Sequence, residues 1–110
     1  MKYRLARAAR RNLEEIADFW TSEAGPDVAL KIIVTIMETI ITLSSQPRAG
    51  VIAQHFGKGV RKFPAGNYMV YYRVRRSTVI EILHVFHGAR DQRKAWKAVS
   101  PKAASISGPS

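Results

Sequence analysis

Two histidines in the second half of the chain are the first residues whose type suggests chemistry. His84 and His87 end an apolar run that begins at Thr78 and stops at Gly88, and its β-branched residues predict a strand. Residues three apart in a strand point to opposite faces, so the two imidazoles cannot chelate one metal ion. We therefore expect no metal site. One histidine should pack near the core, and the other should lie on the sheet face away from the helices.

Basic side chains offer a second kind of chemistry, which is RNA cleavage without a metal. Such a reaction needs cations to stabilise the developing phosphorane charge, and a Tyr, His or Lys to move protons. Arg61, Arg73 and Arg90 could supply the cations if the fold brings them together. The chain shows no Ser-His-Asp pattern, no paired carboxylates and no phosphate-cradling glycine loop. We expect no cofactor.

Composition and charge narrow the class of protein. The chain has 110 residues, no cysteine and a net charge of +10, which suits one globular domain. Residues 1–45 carry six basic and six acidic side chains, whereas residues 46–110 carry twelve basic side chains against Glu81 and Asp91. One strongly basic half favours an acidic partner, such as nucleic acid or an acidic protein surface. Met1 is followed by a charged run without an apolar segment typical of a signal peptide, so we expect a cytoplasmic protein.

The first half of the chain reads as a short strand and two helices. Residues 2–6 alternate polar and apolar side chains, and from Arg7 the apolar positions follow a helical period as far as Trp20. Pro26 and Asp27 begin a second helix that runs to Ser44 and is apolar on most of its surface. Its length and its charged residues argue against a membrane span. A helix between the first helix and a sheet is the simplest interpretation, and a dimer or partner interface is the alternative.

The second half reads as loops and strands. Residues 46–50 form a turn, the segment to Gly59 a loop, and residues 63–67 another turn. Strands follow at residues 68–74 and 78–87, and a short helix reaches Trp96 before a tail, residues 98–110, that we expect to be disordered. The predicted fold is α+β, in one domain spanning residues 1–97. A short N-terminal strand and a two-helix hairpin pack on one face of an antiparallel sheet, which a three-stranded C-terminal meander completes.

Several segments, in this order and spacing, resemble the RelE/ParE superfamily of bacterial type II toxins. They are the opening Tyr3-Arg-Leu, the helix Ala9…Leu13-Glu-Glu-Ile16, Gln46-Pro-Arg-Ala-Gly50, Gly59-Val-Arg61, Gly66-Asn-Tyr-Met-Val-Tyr-Tyr-Arg-Val74 and Ile82-Leu-His-Val-Phe-His-Gly-Ala-Arg-Asp91. The resemblance covers Lys2 to about Trp96. It implies the strand–helix–helix–meander fold, and a toxin neutralised by a cognate antitoxin whose acidic or amphipathic segment wraps around it.

The superfamily divides by activity, and two positions bear on the division. RelE-like members cleave mRNA on the ribosome with basic side chains and a C-terminal tyrosine. Here Met69 replaces a usual arginine and Trp96 stands at the tyrosine position, and neither side chain can take over the missing role. The resemblance therefore favours ParE-like toxins, which inhibit DNA gyrase without being enzymes. The alternative is a ribosome-dependent mRNA endoribonuclease that uses Arg61, Arg73, His87 and Arg90.

The same resemblance, together with the charge distribution, suggests two binding surfaces. The target contact is expected in the basic C-terminal segment, since Arg and Trp are frequent interface hot spots; its residues are Arg90, Arg93, Lys94, Trp96 and Lys97. The antitoxin contact is expected on the sheet, at Met69, Tyr71, Arg73 and Arg61. A homodimer or a toxin–antitoxin hetero-oligomer is compatible with both surfaces.

Overall fold

A computed structural model describes residues 2–76 and 79–88. The chain forms strand β1 (Lys2–Leu5), helices α1 (Arg7–Ala24) and α2 (Pro26–Ser45), strand β2 (Val51–Ile52), a 3₁₀ turn at Gln54–Phe56, and strands β3 (Val60–Ala65), β4 (Tyr68–Arg75) and β5 (Val79–His87). The five strands form one sheet in the order β1-β5-β4-β3-β2. The two helices, the C-terminal meander and the α+β class are confirmed.

One glycine makes the sharp connection between the two helices. Gly25 has a φ of 94° and donates its N–H to the carbonyl of Thr21, which ends α1. A left-handed φ suits glycine because it has no Cβ. Pro26 then occupies the first turn of α2, with Asp27 beside it at the positive end of the helix dipole. The helix boundary that the sequence predicts from these residues is confirmed.

The sheet is mixed rather than antiparallel, which corrects the sequence prediction. β1 pairs with β5 in parallel, with Lys2 opposite Val79 and Leu5 opposite Ile82. A parallel neighbour requires a long crossover between the strands, and here the chain between β1 and β5 includes both helices. The other three strand pairs are antiparallel.

The loop and turn predicted between α2 and β4 are also corrected. β3 continues through Phe63 and Pro64 to Ala65, so that only Gly66 and Asn67 form the turn. Pro64 fits this strand because β2 pairs only with Arg61 and Lys62. Beyond them β3 is an edge, where a missing backbone N–H costs no ladder hydrogen bond.

The main core lies between the helices and one face of the sheet, called here the front face. Fully buried side chains come from α1, α2 and the sheet: Ala9, Ile36, Ile40, Leu43, Val70, Tyr72, Ile80 and Ile82. By length and composition alone α2 could cross a membrane, so the sequence argument that it is too short is wrong. The burial of one side of α2 against the sheet identifies that side as part of a core.

The opposite face of the sheet, the back face, has a small core of its own. Phe56 from the 3₁₀ turn packs against Tyr71 with ring centroids 4.8 Å apart. The cluster consists of Ala53, Phe56, Val60, Tyr71 and Phe86, with Met69 and Leu83 half-buried beside it. The alternation predicted for β4 is confirmed, since Tyr68, Val70 and Tyr72 lie on the front face and Met69 and Tyr71 on the back face.

An extra residue in β5 changes which of its side chains reach the front face. Tyr71 pairs with His84 and Tyr72 pairs with Ile82, so Leu83 has no direct partner in β4. This is a β-bulge, and it shifts the alternation by one residue. As a result Ile82 and Val85, three positions apart, both belong to the front core.

A side chain of α1 continues the hydrogen bonding of β5 where β1 ends. The N–H of Ala6 donates to the carbonyl of Ile82, and the chain then enters α1. The next edge donor, the buried N–H of Val85, donates to Oδ1 of Asn12 at 3.0 Å. The buried amide of Asn12 therefore replaces a strand partner and fixes α1 on the sheet.

Candidate functional site

A groove of about 850 Å³ opens between the loop after α2 and the strands β3 and β4. Its lining residues are Gln46, Pro47, Arg48, Ala49, Gly59, Arg61, Arg73 and Val74. Arg61 pairs with Tyr72 of the front core, and Arg73 pairs with Val60 of the back core. The two arginines therefore start on opposite faces of the sheet and meet in one groove. The convergence of Arg61 with Arg73 that the sequence suggested is confirmed to this extent.

Tyr72 and Arg61 hold the loop that forms one wall of the groove. The phenolic oxygen of Tyr72 accepts from the N–H of Gly50 at 2.9 Å and donates to the carbonyl of Pro47 at 2.7 Å. Nη1 of Arg61 donates to the carbonyl of Gly50 at 2.7 Å and to that of Arg48 at 3.5 Å. Residues 47–50, Tyr72 and Arg61 are called the loop clamp below. Arg61 has a structural role in it, so its charge is partly committed to the fold.

Gly50 permits this close arrangement. A Cβ at that position would lie 2.6 Å from the phenolic oxygen of Tyr72 and 2.8 Å from the backbone carbonyl oxygen of Lys62. The second contact is with backbone, which cannot move aside as a flexible side chain would. Burial raises the pKa of Tyr72, although the hydrogen bond to Gly50 and the charge of Arg61 lower it. Tyr72 therefore stays a neutral hydrogen-bonding group and does not act as a proton acceptor near neutral pH.

Arg73 contributes to the groove a charge that makes no hydrogen bond to the described residues. Its Nε is buried and has no hydrogen-bond partner among residues 2–76 and 79–88, and Gly57 and Gly59 lie beside the side chain. Among the described residues, none that lines the groove is acidic. The described residues from 46 onward include seven basic side chains and one acidic side chain, Glu81. Glu81 already forms an ion pair with Arg75, at 3.4 Å. The groove is therefore suited to an anionic ligand, and a carboxylate is one such group.

His87 lies in a different part of the molecule from these arginines. Its ring packs edge-on against Tyr68 with centroids 5.2 Å apart, and it lines a cavity of about 320 Å³ with Asn12, Glu15 and Phe19. Tyr68, its partner in β4, is five residues from Arg73 along the strand, which corresponds to roughly 17 Å. The structure therefore does not bring His87 to Arg61 and Arg73. Arg90, the fourth member of that set, lies outside the described residues.

His84 and His87 occupy opposite faces of the sheet, as the strand geometry predicted. His84 stacks on Phe86 of the back core with centroids 4.9 Å apart, whereas His87 contacts Tyr68 of the front core. The expected division between them is confirmed, since His87 packs near the main core and His84 lies on the face away from the helices. His84 is nevertheless the more deeply buried of the two. The back core explains this. Burial lowers the pKa of His84 to about 4, so its imidazole is neutral at pH 7.

The residues predicted to contact an antitoxin differ in how exposed they are. Met69, Arg61 and Arg73 are half-buried, whereas Tyr71 is fully buried beneath Phe56. Burial also raises the pKa of Tyr71 to about 12. A partner that reached Tyr71 would first have to displace the 3₁₀ turn. A partner can therefore contact only the partly exposed residues of this set, which are Arg61, Arg73 and Met69.

The predicted target contacts Arg90, Arg93, Lys94, Trp96 and Lys97 lie outside the described residues, as do the predicted C-terminal helix and tail. Sequence reasoning missed Tyr72, Gly50 and Asn12 as organising residues. The segment Gln46–Gly50 was noticed as a motif, but its partner Tyr72 follows 22 residues later in a strand. No local pattern links them.

Two helices on one face of a five-stranded mixed sheet form the fold of RelE/ParE-type toxins. A solved structure described as the chromosomal ParDE TA system from P. aeruginosa superimposes with a TM-score of 0.69 at 26% identity, over 79% of this chain and 95% of that one. The toxin–antitoxin complex RelBE2 from Mycobacterium tuberculosis shares the fold, with a TM-score of 0.59 at 24% identity, over 78% and 95% of the two chains.

Sequence comparison identifies the family. Residues 3–92 match the model of the ParE toxin of type II toxin–antitoxin systems. Toxin ParE1 of Mycobacterium tuberculosis is 31% identical over 90 residues, which cover 82% of this chain and 92% of that protein. Toxin ParE1 of Caulobacter vibrioides is 28% identical over 91 residues, which cover 83% and 93%. The chain belongs to the ParE family of type II toxins.

Proposed function

We propose that this toxin acts in the cytoplasm by binding and inhibiting DNA gyrase, without cleaving RNA. The observation that carries the proposal is the separation of the candidate nuclease residues. His87 lies at the other end of β4 from Arg73, so it cannot transfer protons at a phosphate held by the groove. Membership of the ParE family supports the same target.

The remaining polar groups near the groove support a binding role rather than a catalytic one. Arg61 and Tyr72 make their hydrogen bonds to the backbone of the loop clamp. A general base must have a pKa near the working pH, but burial keeps Tyr72 protonated and His84 neutral. Met69 cannot stabilise phosphoryl charge as an arginine would. The target contact is proposed for the basic C-terminal segment, at Arg90, Arg93, Lys94, Trp96 and Lys97.

The target is tested with purified toxin in two parallel assays. One follows supercoiling of relaxed plasmid by gyrase, and the other follows a reporter mRNA on translating ribosomes. We expect supercoiling to stop at toxin concentrations that leave the mRNA intact. Cleavage of the mRNA within codons, with normal supercoiling, would establish the endoribonuclease instead.

Arg73→Ala is the variant that separates the two mechanisms. Arg73 makes no hydrogen bond to the described residues, so its removal should leave the fold unchanged, whereas Arg61→Ala also breaks the loop clamp. We expect Arg73→Ala to inhibit gyrase as the unmodified chain does. A loss of toxicity of 100-fold or more, on the order expected when a charge-stabilising group is removed, would favour the nuclease.

We also propose that a cognate antitoxin neutralises the toxin and that its acidic segment enters the basic groove. One solved structure that shares the fold, at a TM-score of 0.69, is described as a ParDE toxin–antitoxin system. In this chain Arg48 and Arg73 face the groove with no acidic neighbour in its lining, and a carboxylate from a partner would satisfy the buried Nε of Arg73. Met69 lies on the same face as Arg73 and extends the proposed contact.

Charge reversal tests this docking site with the product of the adjacent gene as the partner. Arg73→Glu should weaken binding by about 100-fold, because a buried charge pair becomes a repulsive one. Arg11→Glu is the matched control, since it makes the same charge change at an exposed position of α1. Equal affinities for the two variants would place the antitoxin elsewhere.

A further inference from the structure

Four apolar side chains form a stripe on the outer side of α2. They follow one another at intervals of four, three and four residues, which places them on one line along a helix: Leu30, Val34, Met37 and Ile41. Leu30 is 63% exposed, Val34 42% and Ile41 53%, while Met37 is half-buried. These four residues are called the α2 stripe below.

Of this stripe, the fold of a single chain uses Met37, which is half-buried against the front core, and leaves Leu30, Val34 and Ile41 exposed. The inner side of α2 already fills the front core with Ala29, Ile36, Ile40 and Leu43. An exposed row of large apolar side chains is costly in water and commonly marks an interaction surface. The question is which partner fits it.

The spacing of the stripe is the same when it is read in either direction. If two α2 helices lie antiparallel about a two-fold axis, Leu30 of one copy faces Ile41 of the other, and Val34 faces Met37. A self-complementary patch of this kind is what a two-fold interface requires, because one surface must fit itself. A partner of different sequence would impose no such symmetry.

Two charged residues beside the stripe are placed nearly symmetrically about the same centre, since their midpoint lies one residue from that of the stripe. Lys31 and Glu38 are exposed and lie seven residues apart, so they share one flank of the stripe. In the antiparallel pair the same flank of each helix meets its copy, so Lys31 of each copy comes beside Glu38 of the other. A parallel pair would place these two flanks on opposite sides of the interface and form no such ion pairs. We propose that α2 is a self-association surface, through which two copies of the toxin form an antiparallel helix pair.

Sedimentation velocity of the full chain, purified without antitoxin, tests the proposal. A single helix pair is a small interface, so we expect a dissociation constant of about 10 µM. At about 100 µM roughly four-fifths of the chains should then be dimeric, so the average mass should approach twice that of one 12.3-kDa chain. Leu30→Gln should raise the dissociation constant by about 10-fold or more. A monomer at this concentration would overturn the proposal.

Phe19→Gln is the matched control for the apolar substitution. Phe19 lies on α1 and is 54% exposed, so this change also removes exposed apolar surface but does not touch the stripe. The control should dimerise like the unmodified chain. Equal weakening by Phe19→Gln and Leu30→Gln would show non-specific association and contradict a dimer through α2.

A charge exchange tests the antiparallel orientation and leaves the apolar residues in place. Lys31→Glu and Glu38→Lys should each weaken the dimer by about 3- to 10-fold, because each places like charges together twice. The double variant carrying both changes should recover the original dissociation constant. Both side chains are exposed, so folding is unaffected. A double variant as weak as either single variant would disprove the antiparallel pairing.

Discussion

Tyr72 and Arg61 show how residues that suggest catalysis can be committed to the fold. The phenol of Tyr72 accepts one hydrogen bond from the loop after α2 and donates another to it, and Arg61 donates to two carbonyls of that loop. From sequence, Arg61 was a candidate cation for phosphoryl chemistry. The structure gives it a local role in the fold, since a single guanidinium nitrogen, Nη1, donates to both carbonyls.

The loop clamp makes Tyr72→Phe a destabilising change. The substitution leaves the buried N–H of Gly50 and the carbonyl of Pro47 without their partner, which should lower the free energy of unfolding by about 1–3 kcal/mol. Urea denaturation measures the loss. Tyr3→Phe removes a hydroxyl from a residue that is 38% exposed and should change stability little. Equal stability of the two variants would mean that the clamp contributes nothing.

The buried imidazole of His84 should make the toxin less stable in acid. Its pKa is about 4 in the folded chain, against an ordinary value of 6.5. Between these two values the unfolded chain binds more protons, so stability is complete above pH 6.5 and decreases as the pH falls towards 4. The difference corresponds to at most about 3 kcal/mol.

The pH effect is assigned by substitution. His84→Phe should flatten the dependence of unfolding free energy on pH between 6.5 and 4.5, because the titrating group is gone. His55→Gln removes a histidine from an exposed position and should leave the slope as it was. A slope that survives in His84→Phe would contradict the assignment.

At the scale of elements, the contact between α1 and β5 depends on one buried amide. Asn12 accepts the N–H of Val85 where β1 no longer pairs with β5. Asn12→Leu should cost about 1–3 kcal/mol of unfolding free energy and speed hydrogen exchange of the Val85 amide. Glu14→Leu, at an exposed position of the same helix, is the comparison. Unchanged exchange at Val85 would show that the amide is not required there.

How far the elements could be predicted depended on whether their signal was local. The helices, β4 and β5 followed from periodicity, and Gly25 and Pro26 marked the break between α1 and α2. The parallel pairing of β1 with β5 joins residues more than 70 positions apart, which no local pattern encodes. β3 was taken for a turn because it contains Pro64, which an edge position tolerates.

In the candidate site, too, the features that could be predicted were those with a local sequence signal. Arg61 and Arg73 were identified because arginines in a basic segment are visible in a sequence. Their meeting from opposite faces of the sheet, the role of Tyr72 and the cover that Phe56 gives Tyr71 all depend on tertiary packing. Phe56 stands in a three-residue 3₁₀ turn, which is too short to produce any periodicity.

At the scale of the whole molecule, the basic surface and the exposed apolar surface lie on different elements. The sheet and its loops carry an excess of positive charge around the groove. Helix α2 instead presents an apolar stripe, beside which Lys31 and Glu38 have opposite charges. An acidic antitoxin bound at the groove and a second copy bound at α2 would not compete for the same residues. The two proposed associations are therefore compatible in one hetero-oligomer.

The two associations should respond differently to salt, which is the last prediction. Long-range attraction between the basic half and an acidic antitoxin raises the association rate, and a Debye length of about 10 Å at 0.1 M shortens further as salt is added. We expect the association rate constant to fall by about 10-fold or more between 50 and 500 mM NaCl, while the dissociation rate constant changes little.

Lys58→Glu, at an exposed position near the groove, should lower the association rate alone, and Lys2→Glu on β1 provides the same charge change as a control. The dimer through α2, held mainly by apolar contact, should keep its dissociation constant within about 3-fold over the same range. An association rate that does not depend on salt would show that the charge of the basic half has no part in capturing the antitoxin.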